Sequence, residues 1–205
     1  MDDAPQGHPV DRATRTTAGK PALRAEVRAA RRRLDDDERC GLDAAVAAAA
    51  LAEGSPLVAL APGAVVALYD SLPTEPGTRG LRAALAARGV VVLLPVVVGD
   101  APLAWEVDGV DSAAGSGSRP EGLEGAAVVL LPALAVDRSG TRLGQGGGHY
   151  DRTLALLPPE GAPERPWLAA VVREPELLPA GALPREPHDV LVDAALTPAG
   201  WTRLR

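Results

Sequence analysis

The densest chemical signal in the chain is RLGQGGGHYDR, residues 142–152. Four of the five positions 144–148 are glycine (Gly144, Gly146, Gly147, Gly148), interrupted by Gln145. Without Cβ atoms in the way, main-chain N–H groups can come close to an anion. Arg142 and Arg152 bracket the run with fork-shaped donors suited to phosphate. The run leads into a helix start, where the dipole also favours an anion. Asp151 can hold the magnesium that travels with a nucleotide, because that ion takes few protein carboxylates and several waters. Glycine runs are more often plain surface loops; the flanking Arg and Asp favour phosphate binding here. The run is not a Walker A loop, since no Gly-Lys-Ser/Thr follows, and not GxGxxG, since position 149 is His149.

A second candidate is Lys20, the only lysine beside 20 arginines. Between Lys20 and Leu34, Lys20, Arg24, Arg28, Arg31, Arg32 and Arg33 face a single Glu26. The usual fate of such a run is a solvated helix face. At the helix start, Lys20 suits a mobile point charge aimed at a phosphate. Glu75, in LPTEPGT, can accept from substrate N–H groups, although alone it reads as a turn residue. Asp189, in EPHDVLVD, could share a cation with Asp151. His188 is read as a loop histidine, and His8 lies near the start of the chain. Trp105 and Trp167 are read as packing residues, with Trp105 also able to stack on a flat ring. Cys40 has no base beside it, and neither GxSxG nor HExxH occurs, so no protein nucleophile or zinc-protease site is expected.

The elements that must position these groups follow from periodicity. The chain has 205 residues, 46% hydrophobic, 23% charged and 2% aromatic, with no Phe, Ile or Asn. Its core must therefore be built from Val, Leu and Ala. One domain is expected over 20–205, after a polar, aperiodic extension at 1–19 read as disordered. Leu23, Val27, Ala30 and Leu34 predict a helix over 20–34, with Pro21 in its first turn. Further helices are predicted at 41–52, 78–89 and 150–157. Strands are predicted at 64–70, 89–98, 126–136, 167–172 and 189–196, with loops at 108–125 and 137–149. The strands at 89–98 and 126–136 are continuously apolar, as in parallel sheets covered on both faces. This alternation predicts an α/β fold with an open, mostly parallel sheet and helices on both faces. Ligands in such folds sit beyond the carboxyl ends of the strands, which selects the loops at 70–78 and 137–149.

Taken in order, several segments resemble one family. They are Lys20-x-x-Leu23-Arg24, Glu75-Pro76-x-Thr78, LPALAVDRSGTRLGQGGGHYDRTL and LPREPHDVLVDAALT. Over about residues 20–198 they resemble 5-formyltetrahydrofolate cyclo-ligase, also called 5,10-methenyltetrahydrofolate synthetase. The resemblance implies a NagB/ribose-isomerase/CoA-transferase-like fold. It implies ATP as co-substrate, Mg2+ as cofactor, and conversion of 5-formyltetrahydrofolate to 5,10-methenyltetrahydrofolate with ADP and phosphate released. It implies that Lys20 and Arg24 contact ATP phosphates, and that Arg142, Leu143, Gly144, Gln145, Gly146, Gly147, Gly148, His149 and Tyr150, with Arg152, form the ATP site. Lys20 and Arg142 would be catalytic, Asp151 and Asp189 magnesium ligands, and Glu75 part of the folate seat.

The alternatives are a phosphate-binding sugar-phosphate isomerase or CoA-transferase relative, and a non-catalytic ATP-binding regulator. Net charge of −6 and the lack of interleaved aromatics argue against nucleic acid. No apolar run of 18 residues free of charge predicts a membrane span, and the N-terminus has no apolar stretch of the secretory kind. A cytoplasmic monomer is expected.

Overall fold

A computed structural model describes residues 19–109, 122–187 and 189–205. The extension expected at 1–19, apart from Gly19, most of the loop at 108–125, and His188 lie outside them. Helix α1 spans Lys20–Arg31 and α2 spans Asp36–Ala50. Strand β1 is Val65–Ala67, α3 is Arg79–Ala87, β2 is Val91–Val96 and β3 is Ala104–Val107. There follow β4 (Ala126–Pro132), β5 (Ala135–Asp137), β6 (Arg142–Leu143) and α4 (His149–Leu154). The remaining strands are β7 (Trp167–Val171), β8 (Leu177–Leu178), β9 (Ala194–Thr197) and β10 (Gly200–Arg203).

Seven strands form the main sheet in the order β10-β9-β7-β4-β1-β2-β3. Its five inner strands are parallel; β3 and β10 close the two edges antiparallel. Along β1 and into the residue after it, Val66, Ala67 and Leu68 point alternately to opposite faces, and each face has its own core. Val66, Leu68, Leu130 and Val171 pack with Val46 and Ala50 of α2 and Leu81 and Leu85 of α3. Ala67, Leu131, Leu168 and Ala170 pack with Trp105 and with Leu154 of α4. Burying both faces explains why the strands read as solid apolar runs. Leu85 is fully buried, so Leu85→Ala would cost roughly 2–5 kcal/mol.

The apolar run 126–136 is two strands, not one. Pro132 lacks the N–H a continuing ladder needs, and two arginines bind the carbonyls at the break. Arg142 donates to Pro132 O (3.2 Å) and Arg31 to Ala133 O (2.6 Å). The chain then enters a small sheet, β6-β5-β8, so the expected 137–149 loop contains a strand. Leu23 and Val27 of α1 pack on this sheet against Leu134, Ala135, Leu143 and Leu183. Helix α2 starts earlier than its apolar period suggests, at a capping box. Glu38 N donates to Asp35 Oδ1 (2.8 Å) and Asp35 N to Glu38 Oε2 (2.9 Å). The expected strand at 189–196 begins only at Ala194. No helix among the described residues is long and apolar enough to cross a membrane.

Candidate functional site

The loop between β6 and α4 is held by its carbonyls. Arg24 Nε donates to Gly144 O (2.9 Å), Arg28 to Gln145 O (2.7 Å) and Arg152 to Gly147 O (3.3 Å). The main-chain N–H groups of 144–148 donate to no other described backbone group. Arginines thus take the acceptors, and a ribbon of amide donors is left for a ligand. Gly146 sits at φ +104°, with the Arg24 guanidinium 3.5 Å from where a Cβ would stand. A Cβ there would meet the arginine only at ordinary contact distance, so it is the positive φ that favours glycine.

The bland reading of α1 as a solvated basic face is therefore wrong for one stripe. Lys20, Arg24, Arg28 and Arg31 follow one another along the helix and all point inward. Lys20 Nζ lies 2.9 Å from Asp189 and 3.3 Å from Glu186. Burial pulls the Lys20 ammonium down, but the hydrogen bonds to Asp189 and Glu186 outweigh it and leave it above its ordinary range. Arg28 also forks onto Gln145 Oε1. Arg31, 1% exposed, is bidentate on Glu176 at 2.7 Å. Arg28 and Glu176 were missed by the sequence reading. A short i, i+4 basic spacing was visible, but partners 117 and 145 residues away were not.

A pocket of about 250 Å³ lies at the carboxyl ends of β1 and β4, lined among others by Tyr69, Glu75, Arg142, Gly146, Tyr150 and Asp151. Residues of the 70–78 loop and of the glycine loop both line it, where the fold rule expects a ligand. Glu75 is buried; its Oε2 accepts from Leu72 N (3.0 Å) and its Oε1 from Gln145 Nε2 (2.9 Å). Asp43 of α2 accepts from Gly77 N (2.7 Å), and Arg173 donates to Thr74 O (3.1 Å), fixing the loop from behind. Arg142 is buried; it donates to Asp151 Oδ1 (2.6 Å), and its guanidinium carbon lies 5.8 Å from the Tyr150 ring centre. Arg142 Nε and the Tyr150 hydroxyl are buried with no partner. Unmatched donors in a pocket wall are what a polar ligand would satisfy. Burial raises the Tyr150 hydroxyl beyond its ordinary range, so it stays protonated and can donate.

Of the expected site, Arg142, Gly144, Gln145, Gly146, Gly147, Gly148, His149, Tyr150, Asp151 and Glu75 line one pocket. Arg24 supports the glycine wall from outside it, Arg152 is bonded to Gly147 O and to His149 Nδ1, and Leu143 is a core residue. Lys20 and Asp189 are joined to each other rather than set in the pocket lining. Trp105, 1% exposed, is core and cannot stack on a ligand. Among the described residues no three His, Cys, Asp or Glu side chains form a metal cluster. A larger apolar hollow of about 570 Å³ lies beyond Leu103, but its lining has no cationic residue and offers nothing to a phosphate.

This architecture is shared with solved structures. A 5,10-methenyltetrahydrofolate synthetase from Aquifex aeolicus superposes with a TM-score of 0.70 at 25% identity, over 91% of this chain and 93% of that one. A 5,10-methenyltetrahydrofolate synthetase from Mycoplasma pneumoniae superposes with a TM-score of 0.69 at 20% identity, over 87% of this chain and 98% of that one. The fold places the chain in that α/β structural class. The family model described as the 5-formyltetrahydrofolate cyclo-ligase family matches residues 16–198. A 5-formyltetrahydrofolate cyclo-ligase of Mycolicibacterium smegmatis is 42% identical over 151 residues, 66% of this chain and 74% of that protein. A mitochondrial 5-formyltetrahydrofolate cyclo-ligase of Arabidopsis thaliana is 44% identical over 75 residues, 35% of this chain and 27% of that protein. The chain belongs to the 5-formyltetrahydrofolate cyclo-ligase family.

Proposed function

We propose that residues 20–205 act as one catalytic unit that converts 5-formyltetrahydrofolate to 5,10-methenyltetrahydrofolate at the expense of ATP, releasing ADP and phosphate. The observation that carries the reading is the glycine loop: its carbonyls are engaged by Arg24, Arg28 and Arg152, while its N–H groups are left to a ligand beside Glu75 and Arg142.

A formamide carbonyl is a poor electrophile because its nitrogen donates into it. Its oxygen attacks the γ-phosphorus of ATP, the bond to ADP breaks, and the formyl oxygen becomes part of a leaving group. The neighbouring folate nitrogen, N10, attacks the activated carbon; the ring closes and phosphate departs with that oxygen. Phosphoryl transfer asks the protein chiefly for positioning and charge neutralisation. The loop amides hold phosphate oxygens, Arg142 and Lys20 neutralise developing charge, and Glu75 accepts from N–H groups of the folate. No protein nucleophile is needed.

The donor set fits a magnesium carried in by the nucleotide. Asp151, half exposed at the pocket, has only Oδ1 taken, by Arg142. Asp151 is the carboxylate at the pocket that would hold the ion, now neutralised by Arg142, which a triphosphate would compete for; Asp189, paired with Lys20 outside the lining, would join it only if that pair opened on binding. Bound there, magnesium would offset charge on the phosphate oxygens. The protein works as a cytoplasmic monomer. The test is spectrophotometric: purified protein with 5-formyltetrahydrofolate, ATP and magnesium should produce methenyl absorbance with one ADP per turnover. Phosphate-ester binding without ADP release would instead mark a sugar-phosphate isomerase or CoA-transferase relative. Nucleotide binding with no product from any folate would mark a regulator.

A further inference from the structure

The expected assignment placed Gln145 among the ATP-binding residues, but its side chain does something else. Its Oε1 accepts from Arg28 Nε (3.2 Å) and NH2 (2.9 Å), and its Nε2 donates to Glu75 Oε1 (2.9 Å). We propose that Gln145 is a positioning residue that sets the carboxylate of Glu75 from across the pocket and so ties the folate wall to the phosphate wall. The proposal rests on the reading of Glu75 as part of the folate seat.

The chemistry selects the residue type. A guanidinium can only donate and an ionised carboxylate can only accept. A group standing between them must accept on one side and donate on the other. A side-chain amide does both while remaining uncharged. Glutamate at 145 would still receive Arg28 but would place a second carboxylate about 3 Å from Glu75, where the two would compete for one proton. Methionine would fill similar space and make neither bond. The main chain at 145 is secured independently, since Arg28 also holds Gln145 O at 2.7 Å and Arg24 holds Gly144 O. A change of this side chain therefore leaves the glycine loop anchored and acts on Glu75. The other oxygen of Glu75 is bonded within its own loop, to Leu72 N, so among the described residues Gln145 is its one hydrogen-bonded tether to the glycine loop. A ligand that shifts the glycine loop would shift Glu75 with it.

The test compares Gln145→Glu and Gln145→Met in the full chain. Both should raise the KM for 5-formyltetrahydrofolate about tenfold, the loss of one hydrogen bond to a charged group, while leaving the ATP KM nearly unchanged. The Gln145→Glu deficit should shrink between about pH 8 and about pH 6, as the carboxylate pair takes up a shared proton; the Gln145→Met deficit should not. Besides Glu75, the ionisable groups lining the pocket are Tyr69, Asp70, Arg142, His149, Tyr150 and Asp151, with Arg28 behind Gln145 and Arg173 behind the loop at Thr74. They are the same in both variants, so the difference between the two profiles isolates position 145. Equal changes in both KM values at every pH, or no change in either, would overturn the proposal.

A second measurement needs no substrate. In ligand-free protein, Gln145→Glu should lower the Tm more at about pH 8 than at about pH 6, and adding Glu75→Gln should abolish that dependence. The sign follows from repulsion. The pair's folded pKa rises above its unfolded value, so stability is present at low pH and lost as pH climbs through the folded pKa. A pH-independent Tm difference would overturn the contact. If the melts behave as stated but the wild-type protein forms no methenyl product, the functional reading fails while the tether stands.

Discussion

Single side chains carry the sharpest expectations. If Lys20 and Arg142 contact phosphate as proposed, Lys20→Ala and Arg142→Ala each remove a charge-assisted contact worth roughly 1.5–3 kcal/mol, and kcat/KM should fall about 10- to 150-fold with far-ultraviolet dichroism unchanged. Wild-type kinetics in both variants would remove the phosphate assignment. Glu75→Gln should raise the folate KM more than the ATP KM; the reverse would place the 70–78 loop on the nucleotide. Of the chain's two tyrosines, Tyr69 is buried and Tyr150 is partly buried with its hydroxyl enclosed, and both are shifted upward, chiefly by desolvation. Folded protein should therefore show almost no tyrosinate absorbance near pH 10, where free tyrosine is about half ionised. The folded state holds its phenolic protons more tightly than the unfolded state, so stability declines as pH rises past the unfolded value, and the absorbance should appear together with unfolding. At this scale the sequence was informative about residue type but not about partners. RLGQGGGHYDR advertised a phosphate loop, yet nothing near Gln145 in the chain announced Arg28 or Glu75.

The elements place these groups, and α1 does so through a single stripe. Arg31 sits at 1% exposure on Glu176, which also accepts from Arg173 N at 2.8 Å. Arg173 in turn bonds the loop that carries Glu75. Arg31→Ala would remove the bidentate partner of the buried Glu176 carboxylate but leave it Arg173, 3.9 Å away, so the cost should fall below the roughly 3–5 kcal/mol of a buried charge stripped of every partner. Glu176→Gln leaves the buried Arg31 and Arg173 guanidiniums without their shared anion and turns an amide N–H toward an arginine donor, so it should cost more than Arg31→Ala, a ranking that thermal melts of the two variants would check. Asp35→Ala, which removes the cap of α2, should cost about 1 kcal/mol by the same measurement. The parallel strands were legible because burial on both faces writes them as uninterrupted Val and Leu. The edge strands β3 and β10 were not, since antiparallel edges of four residues carry mixed polarity and little period. The break inside 126–136 was signalled only by Pro132. Its cause, two arginine side chains on consecutive carbonyls, is tertiary. The start of α2 had a readable signature, Asp35 with Glu38 three residues on, that the apolar period obscured.

At the scale of the whole molecule, the main sheet and the small sheet are locked where β6 follows its turn. Gly140, at φ +86°, lies so close to the 189–196 segment that a Cβ would stand 2.6 Å from Val192 O. Gly140→Ala should therefore lower the melting temperature by several degrees, through strain and a backbone clash together, and should weaken the seat of Asp189 and Lys20. The fold class was legible from the alternation of elements; the second sheet was not, because two-residue strands leave no periodic trace. The placement of the three tryptophans has a practical consequence. Trp105, Trp167 and Trp201 all stand on strands of the main sheet, the last two 5.4 Å apart across it, and none lines the pocket. Intrinsic fluorescence will thus report loss of the sheet with high sensitivity and remain nearly silent to occupancy, so titrations that watch tryptophan emission would score a competent binder as inert.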